Sequence, residues 1–256
     1  MTRARDVGIL KCIDENGRGR THLKVAVLQS NYIPWKGYFD IIHDVDLFVF
    51  YDDLQYTKND WRNRNKIKTP DGTRWLTIPV GPGERRLVMD VKLPADSAWQ
   101  KKHFDAIKLN YARAPYYKKY EPFLKHVYLE KKWDTLVELD RYLITSICRE
   151  FLGVTTRFAE SLDFAFTGVK HEKLLTMLLS AGATTYVSGP AAKDYIVAGD
   201  YEKNGIELVW KDYSGYPVYP QLHGAFEHTV SILDLLLNTG GDAPYYIWGW
   251  REEARD

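Results

Sequence analysis

Short apolar runs separated by helix-length segments set the strongest limit on how this chain can fold. KVAVL (Lys24–Leu28) is rich in β-branched residues and bounded by turn chemistry, which predicts a buried strand. SNYIPWKG then leads into YFDIIHDV, whose apolar residues recur at helical spacing, and DLFVFY (residues 46–51) is a second buried run. Two parallel strands need a crossover of this kind between them, so strand, helix and strand together open a parallel sheet.

The alternation returns in the last third. TTRFAES predicts a strand, KHEKLLTMLLSAGA a helix with Gly182 near its C-terminal end, TTYVSG a strand, PAAKDYIV a short helix with proline in its first turn, IELVWKDY a strand, and TVSILDLLLNTGG a helix closed by glycine. In residues 97–153 the period shifts to 3.6, and SAWQKKHFDAIKLNYARA, YKKYEPFLKHVYLEKK and DTLVELDRYLITSICREFLG predict three helices. Ahead of them, LQYTKNDWRNRNKIKTPDG reads as a polar loop turning at Pro70, Asp71 and Gly72, while RWLTIPV and LVMDVKL read as strands. The expected fold is α/β, a mainly parallel Rossmann-like sheet with an inserted helical lobe. Its expected divisions are a flexible N-terminal extension (1–22), a first part of the α/β domain (23–96), the helical lobe (97–153) and a second α/β part (154–256).

Composition narrows the function classes. Thirty-five Lys and Arg against 34 Asp and Glu leave a net charge of +1, so no nucleic-acid partner is expected. The two cysteines, Cys12 and Cys148, are far apart and lack metal-ligand spacing, which points to a reducing compartment. No apolar run approaches the ~20 residues a membrane span needs, and the first 22 residues hold no signal-peptide core. No transmembrane segment and a cytoplasmic location are expected. Tyrosine (18) and tryptophan (8) are abundant, which suits both half-buried packing and a grip on flat or sugar-like ligands.

Ligands of open α/β sheets sit beyond the C-terminal ends of the strands. After the first strand stand Gln29, Asn31, Tyr32 and Trp35, with Gly37 and Tyr38 at the helix entry. After the second stand Asp52, Asp53 and Gln55; after TTYV, Ser188, Gly189 and Lys193; after IELVW, Lys211, Asp212 and Tyr213. Asp52 and Asp53 suit a helix cap, a ligand hydroxyl or a metal, though a lone acidic pair is a poor magnesium site. DWRNRNKIK places Trp61, Arg62, Arg64 and Asn65 beside Lys66 and Lys68, which suits an anion and a stacked ring, or a solvated basic loop. Ser188 and Gly189 precede a helix start, where free N–H groups favour anions. Lys108, Tyr111 and Tyr116 form another basic and aromatic cluster. No GxSxG, HExxH, Walker A or GxGxxG motif is present.

Five ordered blocks carry a resemblance: LQSNYIPWKGYFDII, DLFVFYDDLQYTKNDWRNRNKI, LNYARAPYY, YVSGPAAKDYI and VWKDYSGYPVYPQ followed by FEHTVSILDLLLNTG. Together, from about residue 24 to 241, they resemble the WbqC-like protein family. The resemblance implies a place in bacterial O-antigen and related polysaccharide biosynthesis, with transfer of a small acyl or aminoacyl group, glycyl among them, to a sugar. Under that reading Asp52, Asp53 or His103 is the base, Lys193 or the N–H groups near Gly189 serve the oxyanion, and the partner is a small-molecule or nucleotide-linked sugar. The turn PWKGYFDII is also similar in layout to the HxGH turn of nucleotidyl-transferring enzymes. Trp35 and Tyr38 stand in place of the two histidines and Gly37 is kept, so Lys36, Arg62 or Arg64 would have to supply the missing charge. That second reading is an activating enzyme using ATP and Mg²⁺. A third is a non-catalytic nucleotide-sugar-binding protein.

Overall fold

The computed structural model describes residues 12–13, 19–20, 22–82 and 85–253. The expected N-terminal extension of residues 1–22 therefore lies mostly outside the described residues. Within it, β1 (Cys12–Ile13) pairs antiparallel with β2 (Gly19–Arg20).

Five strands form one sheet: β3 (Lys24–Leu28), β4 (Leu47–Phe50), β7 (Arg157–Glu160), β8 (Thr185–Ser188) and β9 (Glu207–Trp210), in the order β7-β4-β3-β8-β9. The pairs β3 with β8, β4 with β7 and β8 with β9 are parallel. This is the expected α/β fold with a mainly parallel, Rossmann-like sheet. Every residue of β4 and β8 is buried, as for strands covered on both faces. That burial is why they read in the sequence as continuous apolar runs. Chain order along the sheet reverses between β3 and β8, the kind of position at which open α/β sheets hold ligands.

The chain divides into two compact units, each drawn from separate stretches of sequence. The sheet unit takes the described residues up to Val27, then Asp44–Phe50 and Thr156–Asp212. It carries α5 (His171–Ala181), closed by Gly182 in the left-handed conformation, and α6 (Ala198–Lys203). Its core holds the Phe48 and Phe50 rings, against which the half-buried Phe158 ring packs, and Tyr186 stacked on Tyr201 at 5.7 Å.

The second unit takes Leu28–His43, Tyr51–Thr155 and Tyr213–Asp256. The helical stretch expected over 97–153 lies in it as α2 (Ala98–Tyr111), α3 (Tyr117–Lys125) and α4 (Leu136–Ser146). The last two run on into π-helical turns at His126–Glu130 and Ile147–Phe151. These share the unit with α1 (Lys36–His43), α7 (Ile232–Thr239) and α8 (Trp250–Glu253).

Two local expectations change. The polar loop after the second strand contains β5 (Arg64–Thr69), paired antiparallel with β6 (Gly72–Thr77) in a hairpin turned by Pro70 and Asp71. The buried positions of β5 are Asn65, Ile67 and Lys68, so it carries no hydrophobic alternation to read. The expected LVMDVKL strand is a 3₁₀ turn at Val88–Asp90 with single bridges on either side, Gln55 to Leu87 and Lys92 to Thr135.

Candidate functional site

The turn between β3 and α1 is strained and pinned from several sides. Ile33, fully buried and β-branched, sits at a φ of 36°. A non-glycine residue there is uncommon, and such outliers cluster at functional sites. Asn65 on β5 holds the turn: its Nδ2 donates to Tyr32 O at 3.2 Å and Ile33 O at 2.9 Å. Ile232 N donates to Pro34 O at 2.9 Å, and Tyr38 Oη to Gln29 O at 2.8 Å. Trp35 lies over Gly37 so closely that a Cβ there would stand 2.3 Å from the indole, so only glycine fits. Trp35 also meets the Tyr213 ring edge-on at 5.3 Å. The Gln29 side chain accepts from Arg62, whose guanidinium also grips Asp60 and Thr57.

Lys36, the first residue of α1, is the unusual group at this turn. It is 2% exposed, and its Nζ has a single long hydrogen bond, 3.4 Å to Pro217 O. The Tyr216, Tyr219 and Phe226 rings surround the amine at 4.8, 5.4 and 5.8 Å. Burial lowers its pKa to about 8, against the opposing pull of Asp234 and Asp40. Asp234 on α7 accepts from Tyr111 Oη (2.8 Å), Tyr219 Oη (2.9 Å) and Gln221 Nε2 (2.8 Å), and burial pushes its own pKa up. Lys68 Nζ donates to Gln221 Oε1 at 2.8 Å. Asp40 accepts from Tyr216 and Arg251. Burial also lowers the pKa of His228, helped by the positive charge of Lys36. The result is an amine able to give up its proton near neutral pH, held beside two anchored carboxyl groups.

The residues expected to act as base are tied into the fold. Asp52 is buried and accepts from Ser30 N (2.8 Å), Ser30 Oγ (2.6 Å) and Arg141 Nε (2.8 Å). Asp53 beside it is half-buried. His103 on α2 is buried, with Nδ1 2.8 Å from Tyr32 Oη and Nε2 3.2 Å from Thr77 O. Burial lowers its pKa to about 4, so the ring is neutral at pH 7. Tyr32 Oη lies 2.6 Å from Tyr128 Oη as well. Nearby Asp140 is fully buried, neither carboxyl oxygen has a hydrogen-bond partner, and burial raises its pKa well above the ordinary value.

The hairpin presents an aromatic and cationic face. Trp61 and Trp75 are 44% and 39% exposed with ring centres 5.3 Å apart, and the Arg64 guanidinium lies 4.3 Å and Lys66 Nζ 5.2 Å from the Trp75 ring. Lys66 pairs with Trp75 across the strands. Asn31 is half-buried, and Gln55 and Lys108 are exposed. In the sheet unit, Ser188 ends β8 with Oγ 3.2 Å from Tyr186 Oη, and Gly189 precedes a 3₁₀ turn at Pro190–Asp194. Lys193 is exposed over the Trp210 ring at 5.4 Å, Asp212 is exposed, and Lys211 is buried in an ion pair with Asp44.

Several groups around Lys36 carry little signal in the sequence. Tyr219 and Gln221 lie in a stretch with no predicted element, and Asp234 lies within the predicted TVSILDLLLNTGG helix. One usable sign was a lysine opening a buried helix directly after a proline–tryptophan turn. Among the described residues no cluster of three or more His, Cys, Asp or Glu is placed to hold a metal, and no helix is long and apolar enough to cross a membrane.

The model of the WbqC-like protein family matches residues 29–246. The chain is 45% identical over 225 residues to Rv1507c of Mycobacterium tuberculosis (strain ATCC 25618 / H37Rv), an uncharacterized protein; the match covers 88% of this chain and 97% of that one. No solved structure matches. With the first turn, the hairpin and α7 all inside the matched span, the chain belongs to the WbqC-like protein family.

Proposed function

We propose that this protein is a transferase that adds a small acyl or aminoacyl group, glycyl among them, to a sugar in the assembly of bacterial surface polysaccharide. The observation that carries this reading is Lys36: a buried amine, lowered to about 8, with one long hydrogen bond and three rings around it. Acyl transfer needs a base for the attacking hydroxyl or amine. Neutral Lys36 Nζ takes that proton as the new C–O or C–N bond forms, and the leaving group of an activated acyl donor departs from the carbonyl carbon. The amine is covered by Tyr216, Pro217, Tyr219 and Phe226, and residues 213–227 contain neither helix nor strand. Access therefore requires displacement of a loop and leaves the core elements in place. Trp61 and Trp75 offer stacking surface for a sugar ring, with Arg64 and Lys66 beside them for a negative charge.

The test is mass spectrometry of UDP- and dTDP-linked amino sugars incubated with the protein and either acyl-CoA or glycine with ATP and Mg²⁺. The expected result is a sugar heavier by one acyl or glycyl group, with turnover lost in Lys36→Met while sugar binding is retained. An unmodified sugar with every donor overturns the reading. Pyrophosphate release without sugar modification replaces it with the activating enzyme.

A further inference from the structure

The pair of helices α2 and α3 is far more basic than the chain around it. Residues 101–132 hold nine Lys and Arg against three Asp and Glu, a net +6, while the whole chain totals +1, so the remainder is acidic. We propose that this helix pair docks on an anionic lipid surface, with Lys102, Lys108, Arg113, Lys119 and Lys125 among the phosphates and Leu109 in the hydrocarbon boundary. The proposal stands apart from the transferase reading and needs no part of it.

Helical geometry gathers these groups. Leu109 follows Lys108 and stands two turns after Lys102, so the three share one exposed stripe of α2. Arg113 is exposed in the turn just after the helix. The opposite side of α2 is buried through Trp99, Phe104, Ile107 and Tyr111, which fixes the stripe outward. α3 is built the same way, with Lys118, Lys119 and Lys125 exposed and Tyr117, Tyr120 and Leu124 buried. Gln100 Nε2 donates to Val127 O at 3.0 Å and Lys131 O at 2.8 Å, so the chain leaving α3 returns beside the start of α2.

The stripe combines free charge with free apolar surface. Lys102, Lys108 and Arg113 have no ion-pair partner among the described residues, while Asp105 is paired with Lys101 at 2.6 Å. Lys118 and Lys125 share Glu121, and Lys119 lies over the Tyr120 ring. Among these cations Leu109 is 80% exposed, more than any other large apolar side chain among the described residues. A lipid interface offers both things this set lacks: phosphates for the lysines, whose stems run along apolar surface, and hydrocarbon for the leucine. A second copy of the chain would set cation against cation. A nucleic acid backbone would supply phosphates but no hydrocarbon for Leu109.

The docking face adjoins the cover of Lys36. His223, in the loop over that lysine, has Nε2 3.0 Å from the carbonyl oxygen of Asn110, the residue after Leu109. Docking through Leu109 therefore brings that loop to the lipid surface, where an acceptor carried on a lipid would arrive.

The experiment is co-sedimentation of the full chain with vesicles of phosphatidylcholine alone, and of equal parts phosphatidylcholine and phosphatidylglycerol. The expected result is binding to the anionic vesicles only, lost as salt shortens the screening length from about 10 Å at 0.1 M to about 3 Å at 1 M. Each cation near such a surface is worth about fivefold in partitioning, so Lys102→Ala/Lys108→Ala/Arg113→Ala should bind about a hundredfold more weakly. Leu109→Gln, which keeps every charge, should bind about tenfold more weakly. All four positions are exposed, so both variants should keep the wild-type circular dichroism spectrum. Lys170→Ala/Lys193→Ala/Lys203→Ala removes the same charge from exposed positions of the sheet unit and should bind as wild type does. No binding to anionic vesicles at low salt overturns the proposal, as does equal weakening in the two triple variants. Retention on a DNA column by a chain that vesicles do not bind would assign the face to a nucleic acid instead. Vesicle binding by a protein that modifies no sugar supports the docking face and sinks the transferase reading alone.

Discussion

Asn65 donates its side-chain amide to the carbonyl of Ile33, and Ile33 is held with its backbone at a φ of 36°. A strained, buried residue and the hydrogen-bond donor that fixes it act as one unit. Asn65→Ala removes two buried hydrogen bonds, those to Tyr32 O and Ile33 O, and should destabilise the fold by about 2–3 kcal/mol. Urea denaturation checks this. A loss below about 0.5 kcal/mol would mean that the turn holds itself.

Asp52 gathers the Ser30 backbone N–H, the Ser30 hydroxyl and Arg141 onto one buried carboxylate. Asp52→Asn keeps the shape but removes the charge that Arg141 faces. The expected cost is about 2–5 kcal/mol, read as a lower urea midpoint with an unchanged m-value. Retained stability together with lost transfer activity would instead give Asp52 a chemical role.

His103 falls to a pKa of about 4 in the fold, against 6.5 ordinarily. Between those values the unfolded chain binds the proton and the folded one does not, so stability should rise with pH from about 4 to 6.5 and be lost on acidification through that window. The shift corresponds to on the order of 3 kcal/mol. His103→Gln should flatten this part of the stability–pH curve relative to wild type. An identical slope in both proteins would show that the ring is not held neutral.

Lys36 has its amine lowered from 10.5 to about 8. Below pH 8 both states carry the charge and the cost of burying it is constant. Between about 8 and 10.5 the folded state sheds the proton first, so stability rises with pH. The stability of wild type minus that of Lys36→Met should therefore climb across this range, as followed by urea midpoints at several pH values. The difference cancels the ionisation of the tyrosines common to both proteins. A flat difference would mean that the amine keeps its ordinary pKa.

The sheet could be read from the sequence because its strands are buried on both faces: KVAVL, LFVF and TYVS are almost entirely buried. The helices α5 and α7 were legible from apolar spacing and their closing glycines, Gly182 and Gly240. β5 was hidden because two of its three buried residues, Asn65 and Lys68, are polar and earn burial through distant partners, Tyr32 and Ile33 for one and Gln221 for the other. The surroundings of Lys36 were hidden for the same reason: Tyr216, Tyr219 and Phe226 come from far along the chain, and sequence spacing carries no trace of such a meeting. The residues at strand ends were legible as a set, but their individual chemistry was not. Whether Asp52 is a free carboxylate or a clamp depends on Arg141, 89 residues away.

The strand order also bears on how the protein is made. β3 and β4 leave the ribosome early, yet β3 pairs with β8, Lys24 opposite Thr185, and Leu23 N donates to a side chain 161 positions ahead. At ordinary translation rates the apolar edge of KVAVL waits roughly 8–30 s for that partner. β9 must follow before the sheet has all five strands, and each compact unit is pieced from three separate lengths of chain. No contiguous fragment contains either unit alone. A nascent chain stalled before residue 185 would present an unpaired apolar strand edge to chaperones, and a truncated gene product would present the same edge to its neighbours as a template for aggregation.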